Sequence, residues 1–233
     1  MSNPYFEFKQ FTIWHNKCAM KVGTDGVLLG TWANVTEANN ILDIGTGTGM
    51  IALIAAQRNP KAQITGIDID YSATIQATEN IQNSSWKERI HIIQEDIKKF
   101  HPTTLFDSIL CNPPYFRNSL KCPDMQRSIA RHTDNLSLEE LLKSVQTLIT
   151  GSGEFSIIFP NNDYKLLESL AFIHSLYTVR RTFVHTTVGS TPKRVLLSFK
   201  KKNIPTIETH LTIGCDKNNY SEEFKTLVKD FYL

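Results

Sequence analysis

This chain of 233 residues has few cysteines, no long apolar run and no basic leader. Each of these features argues against a class of protein. The cysteines Cys18, Cys111, Cys122 and Cys215 form no Cys-x-x-Cys pair and stand near no histidine cluster, which disfavours a zinc site or a disulfide framework. No apolar run approaches the ~20 residues of a membrane helix, and no basic stretch followed by an apolar one opens the chain. We expect a cytoplasmic protein with reduced thiols, no membrane segment and no bound metal.

Acidic residues are absent from residues 169–207, although the net charge of the whole chain is only +2. Hydrophobic residues make up 41% of the chain and charged residues 21%, which is typical of a folded protein and not of a disordered one. A long stretch with cations and no acids suits a polyanionic partner better than a merely solvated face. The cations of this stretch are Arg180, Arg181, Lys193, Arg194, Lys200, Lys201 and Lys202.

Short β-branched runs alternate with helical periods from about residue 40 onward. Apolar runs of four to six residues that are followed by helices indicate strands buried on both faces, and therefore a parallel sheet. Ser137 and Glu140 form a capping box that marks the start of one helix. The predicted strands are residues 41–44, 63–69, 90–94, 106–111 and 154–159, and the predicted helices are residues 50–58, 72–82, 138–149 and 164–174.

The last third of the chain changes its pattern. Residues 177–186 and 194–200 read as two strands joined by a turn-rich link of hairpin length, so the second of them is expected to run antiparallel at the sheet edge. A final segment follows Pro205 and ends in a helix at residues 221–231. The sequence thus predicts one α/β domain over residues 1–233, with a doubly wound, mostly parallel sheet on which residues 1–40 pack.

A glycine-rich loop follows the first strand of this domain and opens a helix. Gly45, Gly47 and Gly49 let the backbone turn sharply and approach a ligand closely, and the free N–H groups at the helix start offer donors to a polar group. A dinucleotide fingerprint requires its third glycine where Met50 stands, which weakens a pyrophosphate interpretation. A tight turn without a ligand is the alternative.

Three aspartates follow the next two predicted strands. Asp68 ends the second strand, where a carboxylate can accept both hydroxyls of a ribose. Asp70 competes for that role, and we prefer Asp68 because it is nearer the strand end. Asp96, just past the third strand, can accept the amino group of an adenine or simply cap a turn.

The most specific motif is Asn112-Pro113-Pro114-Tyr115 at the end of the fourth strand. Consecutive prolines fix φ and remove two backbone donors, so the carbonyls of Asn112 and Pro113 are left rigid and without local partners. Two acceptors on one amino group stabilise the transition state in which its nitrogen becomes cationic. Tyr115 offers a flat face for a heteroaromatic ring. A rigid turn with an exposed aromatic side chain is the alternative.

Together, these motifs resemble those of the class I S-adenosylmethionine-dependent methyltransferases that act on amino nitrogens. The resemblance implies a seven-stranded sheet with a reversed final strand. It also implies that the loop from Asp43 to Gly49 binds the cofactor's methionine and ribose, that Asp68 binds the ribose hydroxyls and that Asp96 contacts the adenine. The turn that begins at Asn112 would position the target amine beside the cofactor.

Further blocks narrow the resemblance to bacterial tRNA adenine-N6 methyltransferases, over nearly the whole chain. The blocks are residues 8–11, 18–32, 193–197 and 219–222. The implied reaction methylates N6 of adenine 37, next to the anticodon of a valine tRNA, without a covalent enzyme intermediate. Residues 1–40 would close over the methionine end of the cofactor, with Lys21, Thr24 and Asp25 as candidate contacts. A polar turn before a helix at residues 27–32 is an equal alternative for those three.

The expected partner is the anticodon stem-loop of a tRNA, bound by a monomer. Candidate phosphate contacts are Arg180, Arg181, Lys193 and Arg194, together with Arg117, Lys121, Arg127 and Arg131 after the catalytic turn. Other interpretations stay open: a methyltransferase of a protein glutamine amide, of DNA or of another RNA; a nicotinamide-dependent oxidoreductase; and a non-catalytic RNA-binding module.

Overall fold

A mixed β-sheet forms the centre of the protein, in a computed structural model that describes residues 3–18, 21–113, 136–215 and 219–233. The strands in these residues are β1 (Tyr5–Glu7), β2 (Thr12–Trp14), β3 (Asn40–Ile44), β4 (Gln63–Asp68), β5 (Ile90–Gln94), β6 (Phe106–Cys111), β7 (Ile149–Pro160), β8 (Tyr177–Thr187), β9 (Arg194–Lys200) and β10 (Ile207–Gly214). The helices are α1 (Thr24–Trp32), α2 (Met50–Arg58), α3 (Tyr71–Gln82), α4 (Leu138–Leu148), α5 (Tyr164–Ile173) and α6 (Glu222–Val228).

The sheet has eight strands in the order β10-β8-β9-β7-β6-β3-β4-β5, and β1 and β2 pair separately. Strands β3 to β7 run parallel, as their apolar runs predict, and β9 is antiparallel to both of its neighbours, which confirms the reversed strand. Its expected position at the sheet edge is wrong, because β9 lies between β7 and β8. The expected number of seven strands is one too few, because β10 adds to the edge in parallel with β8. The first four residues of β10 are exposed, so it lacks the buried alternation that predicts a strand.

Two apolar cores cover the two faces of the sheet. The first contains α1, α2 and α6, and the aromatic side chains of Phe8 and Phe11 from the start of the chain are buried in it. The second contains α4 and α5, and α4 begins at the predicted capping box, where the hydroxyl of Ser137 accepts the N–H of Glu140. Within the described residues, no helix is both long and apolar enough to cross a membrane.

Strands β3, β4, β5 and β6 end at the same edge of the sheet, which we call the carboxyl edge. The chain passes from β3 outward to β4 and β5 and then returns to β6 on the other side of β3. The strand order therefore reverses between β3 and β6, and α/β sheets bind ligands in the crevice at such a point. The described polar residues that follow these four strands lie along that edge.

Candidate active site

The glycine loop between β3 and α2 adopts a conformation that requires glycine. Gly45, Gly47 and Gly49 have φ angles of 68°, 56° and 79°, in the left-handed region that other residues rarely adopt. The N–H groups of Gly45 and Thr46 both donate to the Ile67 carbonyl at 2.9 Å, which fastens the loop to the end of β4. A Cβ atom built on Gly45 would meet no atom of the described residues within 4 Å, so these residues leave the loop uncovered at the carboxyl edge.

Asp68 and Asp70 have different roles at the end of β4. The Asp68 carboxylate accepts the N–H of Gly47 at 2.9 Å and that of Asp70 at 3.0 Å, which places it directly against the glycine loop. Asp70 is exposed and is the N-cap of α3, where it accepts the N–H of Ser72 at 2.9 Å. Each Asp68 oxygen retains acceptor capacity for a ligand hydroxyl. The geometry favours Asp68 over Asp70 for that purpose.

Asp43 is fully buried beneath the glycine loop. The Thr46 hydroxyl donates to its Oδ2 at 2.7 Å, whereas its Oδ1 has no hydrogen-bond partner within the described part of the chain. Burial raises the pKa of Asp43 to about 7; the Thr46 hydrogen bond opposes that rise, and the nearby Asp68 carboxylate adds to it. The Asp43 side chain is therefore enclosed between the glycine loop and the start of α2, where the backbone N–H of Ala52 also lowers its pKa, and it is not exposed to the cleft.

Asn112 directly follows the last residue of β6 and lies beside the glycine loop. Because Ile44 pairs with Cys111 in the parallel register, Asn112 and Gly45 follow adjacent strands at the same level. Asn112 and Pro113 are half-buried, and a Cβ atom built on Gly26 of α1 would lie 3.6 Å from Asn112 Nδ2. Helix α1 thus lies against the predicted catalytic turn.

Part of the predicted site lies outside the described residues. These residues are Pro114 and Tyr115 of the catalytic turn and Arg117, Lys121, Arg127 and Arg131 of the following basic cluster.

The thiol of Cys111 is unsuited to act as a nucleophile. The residue is buried, and burial, then the carboxylates of Asp43 and Asp68, raise its pKa well above the usual range. The group therefore stays protonated at neutral pH, in agreement with a reaction that needs no covalent intermediate.

The block at residues 18–32 reaches the carboxyl edge in two places. Cys18 is half-buried, and burial, then the carboxylates of Asp68 and Asp70, raise its pKa to about 11, so it lies close to the end of β4. Asp25, in the first turn of α1, accepts the Arg194 Nε–H at 2.9 Å. The remaining cofactor candidates of the block, Lys21 and Thr24, are exposed.

Asp96 follows β5 and holds a turn. Its side chain accepts the N–H of Lys98 at 3.0 Å, and the Lys98 ammonium lies 3.6 Å away. These contacts are those expected of a residue that caps a turn, which is one of the two roles that the sequence suggests for Asp96. A contact between Asp96 and adenine stays a prediction.

The basic residues of the acid-free stretch separate into two groups in space. Arg194 lies opposite Pro160, the last residue of β7, so it and the exposed Lys193 stand at the carboxyl edge. Arg180 and Arg181 lie on β8, away from the carboxyl edge. Arg180 is four residues before Val184, which pairs with Arg194, and four residues span about 13 Å along a strand.

Arg180 and Arg181 have partners within the chain. The Arg180 guanidinium stacks 3.8 Å from the Trp32 ring centroid and approaches Glu154 at 3.4 Å. Arg181 contacts Glu168 at 2.6 Å and Glu208 at 2.5 Å. The structure does not bring these two arginines to the carboxyl edge, and their contact with RNA stays a prediction.

Two polar residues of the site have no place among the sequence predictions. Thr46 binds Asp43, and Asn80 of α3 binds the Thr48 carbonyl of the glycine loop at 2.9 Å. Asn80 and Gln76, one turn apart, are each 1% exposed on a helix whose other buried residues are mostly small or apolar. Two buried amides on one helix face are a signal that a pattern of apolar residues does not detect.

The residues at the carboxyl edge fit S-adenosylmethionine. A Cβ atom on Gly45 would meet no atom of the described residues, which leaves room for a ligand over the glycine loop, and the Asp68 carboxylate would accept the ribose hydroxyls. No cluster of three metal-ligating side chains occurs in the part of the chain that the structure describes.

Comparison with known proteins gives consistent similarities along the whole chain. The model of the methyltransferase small domain matches residues 19–159. Proteins of Bacteroides thetaiotaomicron and Phocaeicola vulgatus, both named tRNA1(Val) (adenine(37)-N6)-methyltransferase, are 49% and 51% identical over 100% of this chain and 99% of their own length.

Solved structures share the fold at low sequence identity. A predicted O-methyltransferase of Agrobacterium tumefaciens has a TM-score of 0.70 at 17% identity and covers 89% of this chain and 96% of its own. A putative RNA methyltransferase of Pyrococcus horikoshii has a TM-score of 0.54 at 16% identity, and the match covers 76% of this chain and 81% of that protein. At these identities the likeness concerns the fold alone.

Proposed function

This chain belongs to the methyltransferase small domain family, and we propose that, like its relatives named tRNA1(Val) (adenine(37)-N6)-methyltransferase, it methylates N6 of adenine 37 in tRNA1(Val). S-adenosylmethionine supplies the electrophilic methyl group for this transfer. The observation that carries the proposal is the adjacency of Asn112 to the glycine loop across the β3–β6 switch point.

The cofactor would be held by residues of the first two strand ends. Asp68 is fixed against Gly47, so its carboxylate would meet the ribose hydroxyls without first reorganising. Asp43 would act indirectly, since it is buried beneath the loop and holds Thr46 by a hydrogen bond, which fixes the loop that the cofactor contacts. Positively charged groups are favoured in this cleft, because both aspartates lie beneath it.

Asn112 and Pro113 would hold the target adenine by its amino group. The side-chain oxygen of Asn112 and the carbonyl of Pro113 would each accept one amino hydrogen. These bonds strengthen as the nitrogen gives its lone pair to the methyl carbon and becomes cationic, so they stabilise the transition state more than the ground state. The N–CH3 bond forms as the methyl–sulfur bond breaks, and the nitrogen, now strongly acidic, loses its proton to water. No dedicated base is required.

The tRNA backbone would contact the carboxyl edge through Lys193 and Arg194. The adenine must leave its stack to reach Asn112, which costs less in a loop than in a duplex. Arg194 also binds Asp25, so this phosphate-contacting position is connected to α1 and through it to the catalytic turn. Since tRNA is the substrate, we infer that the protein acts in the cytoplasm. A monomeric state and the absence of a metal stay predictions.

Nucleoside mass spectrometry tests the assignment. Purified protein is incubated with S-adenosylmethionine and tRNA1(Val), and the new methyl group is mapped by fragment analysis to N6 of adenine 37. The variant Asn112→Ala is expected to lose at least about a thousandfold in kcat while its affinity for S-adenosylmethionine changes little. The matched control is Asn162→Ala, an exposed asparagine after β7, which should retain wild-type turnover.

Two results would refute the proposal. Methylation of another nucleotide or of no RNA by the wild-type protein would contradict the substrate. Near-normal turnover of Asn112→Ala would contradict the role of the catalytic turn.

A further inference from the structure

One buried side chain joins the start of the chain to the glycine loop. Asn80 of α3 is 1% exposed, and its Oδ1 accepts the N–H of Trp14 at 2.9 Å. Its Nδ2 donates to two carbonyls, those of Trp14 and Thr48, each at 2.9 Å. All three partners are backbone groups, so the amide of Asn80 fixes the relative positions of two backbone segments.

Trp14 depends on this amide because β2 has a single strand neighbour among the described residues. The three residues of β2 pair there with β1 alone, in a sheet separate from the central one. The Asn80 amide offers Trp14 one donor and one acceptor, as a residue of a neighbouring strand would. Helix α3 thereby completes the bonding of β2.

The same face of α3 makes two more contacts of this kind. Gln76, one turn before Asn80, accepts the N–H of Lys17 at 3.1 Å. A Cβ atom built on Gly49 would lie 3.4 Å from the Cβ of Ala77, so α3 also packs closely on the end of the glycine loop. One helix face thus holds both residues 14–17 and residues 48–49.

The consequence concerns the cleft, because Thr48 belongs to the glycine loop, whose Gly47 N–H donates to the Asp68 carboxylate. The chain also continues from Lys17 to Cys18, whose thiol is near enough to Asp68 for that charge to raise its pKa. We propose that Asn80 is a positioning residue for S-adenosylmethionine: by holding Trp14 and Thr48 together, it sets residues 14–18 and the glycine loop as the two walls of the cofactor site. This inference rests on the proposed function, since it concerns the same cofactor.

The variant Asn80→Asp tests the role at constant side-chain shape. Aspartate keeps the acceptor for the Trp14 N–H but loses both donors, and its charge would face the carbonyls of Trp14 and Thr48. The control Asn83→Asp makes the same change at the end of α3, on an exposed side chain that donates to the Glu79 carbonyl.

Calorimetric titration with S-adenosylmethionine and steady-state kinetics give the readouts. We expect Asn80→Asp to raise Kd and KM for S-adenosylmethionine about tenfold or more, as the loss of two hydrogen bonds implies. The KM for tRNA and the kcat at saturating S-adenosylmethionine should stay within about twofold of wild type, as should every constant of Asn83→Asp. A purely structural role would instead lower the folded fraction and leave the Kd of the folded protein unchanged.

Amide hydrogen exchange of the wild-type protein gives a second test that needs no variant to fold. Addition of S-adenosylhomocysteine is expected to protect residues 12–17 together with residues 45–49. Protection of the glycine loop alone would overturn the inference, as would an unchanged Kd in Asn80→Asp when the wild type binds S-adenosylmethionine. If the wild type binds none, the proposed function itself is refuted, and this inference with it.

Discussion

The buried carboxyl of Asp43 should make the stability of the cofactor-free protein depend on pH, and Asp43→Asn should remove that dependence. Burial raises the pKa of this group from 3.8 to about 7 in the folded state. A raised folded-state pKa stabilises the fold fully at pH values below the unfolded-state pKa, and the stabilisation is lost as the pH rises through the folded-state pKa. Asparagine has nearly the same shape and can still accept the Thr46 hydroxyl, but it cannot ionise.

The size of the effect follows from the two pKa values. Between pH 5 and pH 8, linkage gives a loss of about 2 to 3 kcal/mol in the unfolding free energy of the wild type that Asp43→Asn does not share. In the variant, the amide nitrogen would take the place of Oδ1, which already lacks a partner among the described residues. The free-energy cost of burying an unpaired polar atom at this position therefore changes little, and it does not depend on pH.

Urea denaturation at several pH values between 5 and 8, without cofactor, measures the difference between the two proteins. The stability of Asp43→Asn relative to wild type should rise with pH from 5 to about 7 and level off above that value. Asp163→Asn, the same substitution at an exposed residue before α5, serves as the control and should show no such rise.

The reasoning is refuted if the difference between wild type and Asp43→Asn is constant from pH 5 to pH 8. That result would mean that Asp43 ionises in the folded protein as readily as in the unfolded chain.

Two further predictions concern the RNA contact and the fold. In filter-binding measurements with tRNA, Lys193→Ala should reduce the magnitude of the slope of log affinity against log salt concentration by about one. The control is Lys202→Ala, which changes an exposed lysine beyond the opposite end of β9 and should leave the slope unchanged. Equal slopes for the two variants would show that Lys193 is not part of the interface. Asn59→Ala should lower the free energy of unfolding, measured by urea denaturation, by about 3 kcal/mol and leave kcat and KM near wild type. The reason is that the buried Asn59 amide donates to three carbonyls, including that of Val35, and accepts two N–H groups. A decrease of less than about 1 kcal/mol would contradict this prediction.

The arrangement of strands and loops was largely predictable from local patterns. The parallel strands are buried on both faces, so their apolar runs stand out, and the glycine and proline motifs mark their ends. Strand β10 was missed because an exposed edge strand buries few side chains, and its existence depends on pairing with β8. The short strands β1 and β2 were missed for a similar reason, since β2 relies on the side chain of Asn80.

The charge pattern shows the limit of sequence reasoning most clearly. Residues 169–207 contain no acid, yet Arg180, Arg181 and Arg194 all lie against carboxylates from elsewhere in the chain. Proximity in sequence does not determine the electrostatic surroundings of a side chain, because the fold brings distant segments together. A basic stretch therefore indicates a basic surface only after its internal partners are known.

The sequence by itself determined the parallel strands β3 to β7 and the glycine loop, because each follows from backbone conformation over a few neighbouring residues. Only the tertiary structure decided that Asp68 rather than Asp70 lies on the glycine loop, that Asp43 keeps an unpartnered oxygen, and that Asn80 joins two distant segments. These features depend on hydrogen bonds between strand and helix ends that are far apart in the chain, and such contacts exist only once the hydrophobic core has fixed the elements relative to one another.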